Sequence, residues 1–207
     1  MEIPQILLEK LSKAHHVAVL TGAGVSAESG IKTFRDPDGL WAKFNPQELA
    51  SVDGFMSNPE LVWSWYKHRL EIVNSNEPNP GHYAIAEMER LFPELTLITQ
   101  NVDRLHMRAG SSKPLELHGN IIENHCQNCK KPFEGETNLP DKKLPRCPEC
   151  DGLIRPSVVW FGEMLPYDVL QESEMAANEC DIFFSVGTSA EVYPAANLPI
   201  IAKHAGA

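Results

Sequence analysis

A chain of 207 residues, 43% of them hydrophobic, is long enough to bury one substantial core carrying an insertion. Its formal net charge of -10, with an isoelectric point near 5.2, opposes nucleic acid or anionic lipid as partners, since both call for a basic face. No apolar run approaches the length of a membrane span, and the opening residues MEIPQILLEK carry neither a basic leader nor a small-residue cleavage site, so a cytoplasmic protein with no membrane partner is expected.

Apolar residues at helical spacing over 3–14 lead into His16-Val-Ala-Val-Leu-Thr21, a short apolar run that stops at glycine: a helix, then a buried strand. Directly after it, Gly22-Ala23-Gly24-Val-Ser-Ala27 fits the GxGxxG/A pattern, in which glycines let the backbone approach a pyrophosphate. A dehydrogenase would carry an acidic residue at the end of a second strand about 20 residues later. Here that region holds the polar, proline-containing loop Phe34-Arg35-Asp-Pro-Asp-Gly39, which keeps the nucleotide and weakens hydride transfer. Residues 31–80, rich in Trp, Pro and Asn, include a helical stretch over 58–75. In it Tyr66 and Arg69 stand at i, i+3 and face the same way, the plain reading being a core aromatic beside a solvated arginine.

Further helices are expected over 81–91, 167–178 and 195–204, and further strands over 95–99, 115–117 and 182–186. Strands alternating with helices imply an α/β fold, a Rossmann-like doubly wound parallel sheet covered on both faces. Residues 1–30, 81–120 and 157–207 are assigned to it. Residues 31–80 are read as a helical insertion and 121–156 as a zinc-ribbon insertion, together a smaller module.

In open α/β sheets ligands bind at the carboxyl ends of the strands. The strand over 95–99 runs into Gln100-Asn101-Val-Asp103-Arg-Leu-His106, the next ends in Glu116-Leu-His118-Gly119, and the last gives Gly187-Thr188-Ser189. A lone strand-end histidine is more often structural. At a rim shared with amide, carboxylate and hydroxyl side chains, His118 becomes a candidate general base.

Four of the five cysteines, Cys126, Cys129, Cys147 and Cys150, form two CxxC knuckles separated by residues 130–146. Each knuckle turns two sulfurs toward one point, so four thiolates close a tetrahedral Zn²⁺ site; disulfides are the alternative, and nothing indicates secretion. Lys130, Lys131, Lys142, Lys143 and Arg146 are balanced by Glu134, Glu136, Asp141, Glu149 and Asp151, which argues against a nucleic-acid-binding ribbon. Cys180 reads as a core thiol.

The segments GAGVSAESGI (22–31), TFRD (33–36), TQNVDRLH (99–106), LHGN (117–120), VVWFGE (158–163) and GTSAEVYPAA (187–196), with the paired CxxC, resemble the sirtuins in identity and order. The resemblance implies an NAD-dependent protein-lysine deacylase. It implies that the acyl oxygen attacks C1′ of the NAD ribose, that nicotinamide leaves, and that the products are deacylated lysine and O-acyl-ADP-ribose. On that resemblance His118 is the base, with Asn101 also catalytic, and Gly22, Ala23, Gly24, Ala27, Phe34, Arg35, Gln100, Asn101, Asp103, His118, Gly187, Thr188 and Ser189 line the NAD site. Val159, Trp160, Phe161, Gly162 and Glu163 would pair with the substrate backbone as an added strand. The zinc would be structural, one per chain. Acyl-lysine proteins or peptides would be the partners, and a monomer is expected.

Within the family, Tyr66 and Arg69 resemble the Tyr-x-x-Arg pair of the class that removes succinyl, malonyl and glutaryl groups, with Ala50 widening the pocket; a guanidinium fork and a phenol suit a terminal carboxylate. Two departures stand out: Lys32 occupies a position usually held by proline, and the family continues past Ala207 into a further strand, which helps hold the adenosine half of NAD, and a closing helix. The competing readings are an NAD-dependent ADP-ribosyl transferase and, should the chain naturally end at Ala207, an inactive NAD and zinc-ribbon binding module.

Overall fold

A computed structural model describes residues 4–34, 39–137 and 143–207. Its central sheet contains β1 (His16–Thr21), β2 (Glu94–Thr99), β3 (Leu115–Glu116) and β7 (Ile182–Val186) in the order β3-β2-β1-β7, all parallel. Every residue of β1 is buried because the strand is central and covered on both sides. Ala18 and Leu20 pack with Ile98 and Leu117 beneath α7 (Tyr167–Glu179) and α8 (Leu198–Ala205). Val17 and Val19 face the other way, onto Leu97, Ile182 and Ile85 of α5 (Pro80–Leu91), with Leu11 of α1 (Gln5–Leu11) beside them. That two-sided burial is the physical reason β1 reads as an uninterrupted apolar run.

Helix and strand assignments from the sequence agree within a few residues, with one difference near the end. The stretch expected as a single helix over 195–204 is a 3-10 turn (Ala195–Asn197) followed by α8. Pro199 at the start of α8 lacks the N–H that would continue a hydrogen-bond ladder through that point.

The insertions build the second layer. Short helices α2 (Pro46–Leu49) and α3 (Val52–Ser57) precede the long α4 (Pro59–Asn74), which starts on the Asn58 side chain accepting from the Leu61 amide, with Pro59 at its first position. The antiparallel sheet β5-β4-β6 contains β4 (Gly119–Cys126), β5 (Pro132–Phe133) and β6 (Ile154–Val158). Helices and ribbon share one core, in which Phe55, Val62, Trp63 and Tyr66 meet Ile121, Ile154 and Trp160, and Trp63 Nε1 donates to the Ile154 carbonyl at 2.9 Å. Among the described residues no helix is long and apolar enough to cross a membrane.

Candidate active site

Because the central strands are parallel, their carboxyl ends meet at one rim, which opens on a cavity of about 520 Å³. Gly22, Ala23, Gly24 and Phe34 line one wall, Gln100, Asn101 and His118 the floor, and Gly187, Thr188 and Ser189 the far side. The same cavity runs on between the layers to Ala50, Tyr66 and Arg69, and the segment from Val159 through Trp160, Phe161 and Gly162 to Glu163 borders it. Thirteen of the expected site residues outside that segment line this cavity, whereas Ala27 is exposed and lies off the lining. Arg35 lies outside the described residues.

After β1 the chain enters a 3-10 turn, Ala23–Ser29, where a Rossmann unit would start an α-helix. The glycines serve packing between loops as well as ligand access. A Cβ on Gly22 would stand 2.7 Å from the Gly187 oxygen, and one on Gly24 2.8 Å from the Gly187 Cα. Gly187 itself has φ +61, which favours glycine. Gln100 Nε2 donates to Thr188 Oγ1 at 2.9 Å, closing the floor against the last strand's loop.

Asn101 is held from behind. Ser26 Oγ donates to Asp103 Oδ2 (2.8 Å) and accepts from Asn101 Nδ2 (3.1 Å) and His82 Nε2 (3.4 Å). His82 Nδ1 accepts from the Asn79 amide, so the ring is neutral with its proton on Nε2; burial keeps its pKa below the ordinary value. Asp103 is therefore placed differently from the expectation: its carboxylate does not line the cavity, because Oδ2 is taken by Ser26 and Oδ1 caps α6 (Leu105–Arg108) through the Leu105 amide. Its reach to the cavity is through Ser26 and Asn101. Ser26, His82 and His106 were missed as a group by sequence reasoning; the one local signal was Asn79 with His82 three residues on, a capping-box spacing.

His118 Nδ1 lies 3.0 Å from the Gln100 carbonyl oxygen. A carbonyl only accepts, so the neutral ring carries its proton on Nδ1 and its lone pair on Nε2.

At the other end of the cavity, α4 presents Val62, Tyr66, Arg69 and Val73 on one buried stripe. Arg69 thus occupies a core-facing position and is 6% exposed, contrary to the plain reading of a solvated arginine. Its guanidinium lies 4.6 Å from the Phe34 ring and 5.0 Å from the Trp65 ring, and its Nη1 is buried with no hydrogen-bond partner among the described residues. Burial pulls its pKa below the usual arginine value and pushes the Tyr66 phenol up to about 12.

The segment from Val159 to Glu163 is tied inward. The Val159 amide donates to the His118 carbonyl, Phe161 to that of Ala50, Glu163 to that of Trp160, and the Trp160 amide to the Glu163 carboxylate, each at 2.9–3.0 Å. The Gly162 amide is left as the one N–H of the five without a partner among the described residues, so a strand added here would meet mainly carbonyl acceptors.

In the ribbon, the sulfurs of Cys126, Cys129, Cys147 and Cys150 all lie within 4.8 Å of one another, with Cys126–Cys150 at 3.5 Å and Cys129–Cys147 at 3.7 Å. Thiolates 2.3 Å from a tetrahedral zinc would be about 3.8 Å apart, so the four residues fit a closed structural zinc site.

Comparison with known proteins agrees with this geometry. The Sir2 family model matches residues 22–194. The NAD-dependent protein deacylase of Aquifex aeolicus is 52% identical over 193 residues, 93% of this chain and 80% of the relative; that of Methylococcus capsulatus is 48% identical, covering 100% and 84%. Among solved structures, a Sir2 homologue mutant bound to ADP ribose superposes with a TM-score of 0.93 at 48% identity, covering 99% of this chain and 82% of the other. A Sir2 homologue–NAD complex gives 0.90 at 48% identity, covering 99% and 80%.

Proposed function

This chain belongs to the Sir2 family, and we propose that within it the protein is an NAD-consuming protein-lysine deacylase that prefers acyl groups ending in a carboxylate, such as succinyl, malonyl or glutaryl. The family's enzymes that resemble it are named NAD-dependent protein deacylases, and NAD is its co-substrate. Zinc, held by the four cysteines, is structural: four thiolates leave no open position for water.

One atom carries the acyl reading. Arg69 Nη1 is buried, unpaired among the described residues, and belongs to a side chain lining the cavity beside Tyr66. A buried guanidinium with an unsatisfied N–H is costly, and a carboxylate at the end of an acyl chain supplies the acceptor it lacks. Ala50 lines the cavity at this end, and its small side chain leaves room for the longer chain. An acetyl group offers neither the charge nor the reach.

NAD supplies the ribose carbon that the acyl oxygen attacks as nicotinamide leaves. The chain's own residues prepare that step. Asn101, steadied by Ser26, presents its amide at the cavity floor, and Asp103 with neutral His82 keeps Ser26 fully hydrogen-bonded, so that the floor is rigid and needs no reorganisation. His118, with Nδ1 committed to Gln100, offers Nε2 as the base that takes a proton from a ribose hydroxyl. Gly22, Ala23, Gly24, Gly187, Thr188 and Ser189 line the cavity where they would hold the phosphates and ribose, and Gln100 bonds the Thr188 hydroxyl of the last strand's loop. The carbonyls of Val159 and Gly162 with the Gly162 amide receive the peptide backbone.

Incubating the chain with NAD and a panel of acetyl-, malonyl-, succinyl- and glutaryl-lysine peptides, with products identified by mass, tests the reading. Release of acidic acyl groups with a higher kcat/KM than acetyl is expected; a strong preference for acetyl-lysine would remove the acidic-acyl assignment and leave the deacylase.

A further inference from the structure

Tyr66 and Arg69 share one buried helix stripe, but the guanidinium can only donate, whereas a phenol either donates or accepts. Its neighbours decide which. Trp160 Nε1 lies 2.7 Å from Tyr66 Oη across 94 residues of sequence. An indole N–H only donates, so Oη accepts there and its own proton must point elsewhere. On the far side of the Trp160 indole, a protein carboxylate that could compete for that proton belongs to Glu163, whose Oε2 accepts from the Trp160 amide. That carboxylate is engaged at both oxygens: Oε1 takes Arg155 Nη1 at 2.7 Å, and Oε2 takes Arg155 Nη2 and the Trp160 amide, both at 2.9 Å.

Arg155 holds the arrangement from the ribbon side. It sits on β6 with no solvent exposure, and besides Glu163 it donates to the Gln127 side chain and the Val158 carbonyl. Its guanidinium carbon lies 3.3 Å from the centroid of the Trp160 ring. A cation over an indole face is attracted to it and draws electron density from the ring, which fixes the indole and polarises its N–H.

We infer that Trp160 is a specificity-positioning residue, which by donating to Tyr66 Oη turns the phenol proton into the acyl cavity as a donor for the substrate's terminal carboxylate. The inference rests on the acidic-acyl reading of the same pocket. Arg155 and Glu163 act one step further back: Arg155 fixes the indole and holds the Glu163 carboxylate, which would otherwise compete for the phenol proton. The ordering matters because a carboxylate only accepts: a phenol already donating to the protein would present it with a lone pair and repel it.

Trp160→Phe tests this. Phenylalanine keeps an aromatic face for Arg155 and for Phe55, whose ring centroid is 5.2 Å away, and removes the N–H. The readout is the ratio of kcat/KM for succinyl-lysine to that for acetyl-lysine peptides, measured in Trp160→Phe, Tyr66→Phe and the double variant, with zinc content as the check on folding. Loss of one net hydrogen bond should lower the ratio about fivefold in Trp160→Phe. In the Tyr66→Phe background the same change should have no further effect, because the path through the hydroxyl is already gone. A ratio unchanged by Trp160→Phe, a parallel fall of both activities, or an equal fall of the ratio in both backgrounds would each overturn the inference. The underlying acyl reading fails separately: if wild type shows no preference for succinyl-lysine and Arg69→Met leaves the ratio alone, both fall; if Arg69→Met collapses the ratio and Trp160→Phe does not, only the role of Trp160 falls.

Discussion

The rings of His82 and His106 stand 4.8 Å apart in the buried layer behind the site, and burial opposes a charge on either of them. Burial, then the neighbouring His82, holds the His106 pKa down to about 4. His106 Nε2 meets Thr21 Oγ1 at 3.0 Å, Thr21 Oγ1 donates to Thr99 Oγ1, and Thr99 Oγ1 accepts the Asn101 amide. The network behind the cavity floor is thus built for neutral rings.

Stability should therefore fall with acid. A histidine whose folded pKa is lowered binds fewer protons folded than unfolded, so its contribution is present above the unfolded value near 6.5 and is lost as pH drops toward about 4. His125, lowered to about 4 chiefly by burial and then by Arg155, acts in the same direction, as does His82. Glu123 and Glu163 have lowered carboxyl pKa values and enter only below the ordinary carboxylate range. His106→Gln should flatten the decline of Tm between pH 6.5 and 5, recovering about 2 kcal/mol at pH 5 relative to its own loss at pH 7.5. Thermal melts of both proteins across that range decide it; parallel curves would show that His106 is not a source of the slope.

His118→Ala should abolish turnover while leaving the fold and the zinc. A positioned general base contributes roughly 10² to 10⁴-fold, and the Gln100 carbonyl sets the tautomer that makes Nε2 the base. Deacylation rates, with zinc content and far-UV circular dichroism as controls, check the expectation. Near-full activity in a folded variant would exclude His118 as the base.

Arg69→Met removes the unpaired Nη1 while keeping bulk beneath Phe34 and Trp65. Hydrogen bonds to a charged group are worth about 1.5–3 kcal/mol, so kcat/KM for succinyl-lysine should fall about ten- to a hundredfold. Acetyl-lysine should be affected much less, and the variant should be no less stable than wild type in the absence of substrate, because an uncompensated buried charge has been deleted. Loss of both activities in step would make Arg69 a structural residue.

Elemental analysis should find about one zinc per chain, and prolonged chelation should cost both stability and deacylase activity. The coupling is expected because Cys126 and Cys147 belong to the same buried core as Trp63, Tyr66 and Trp160. A metal-free protein with unchanged melting temperature would contradict it.

Two kinds of information were readable along the chain. Runs such as His16–Thr21 and Ile182–Val186 announce strands because burial on both sheet faces leaves no polar alternation, and the CxxC knuckles announce a metal site because each brings two sulfurs together within one turn. Polar residues placed just after strand ends mark the rim, since parallel strands must finish on the same side. These signals are local, carried by backbone periodicity and short spacing. Which side chain meets which across long separations follows from the packed fold alone. Ser26 reaches Asp103 across 77 residues and draws it behind the floor, Trp160 reaches Tyr66 across 94, and Arg69 is buried beside Phe34 and Trp65, a choice that helical spacing alone left open between a solvated arginine and one in the acyl pocket. Each depends on how the helical and ribbon insertions pack against one another and over the rim, which is set by the summed burial of their shared core and by no feature near the residues themselves.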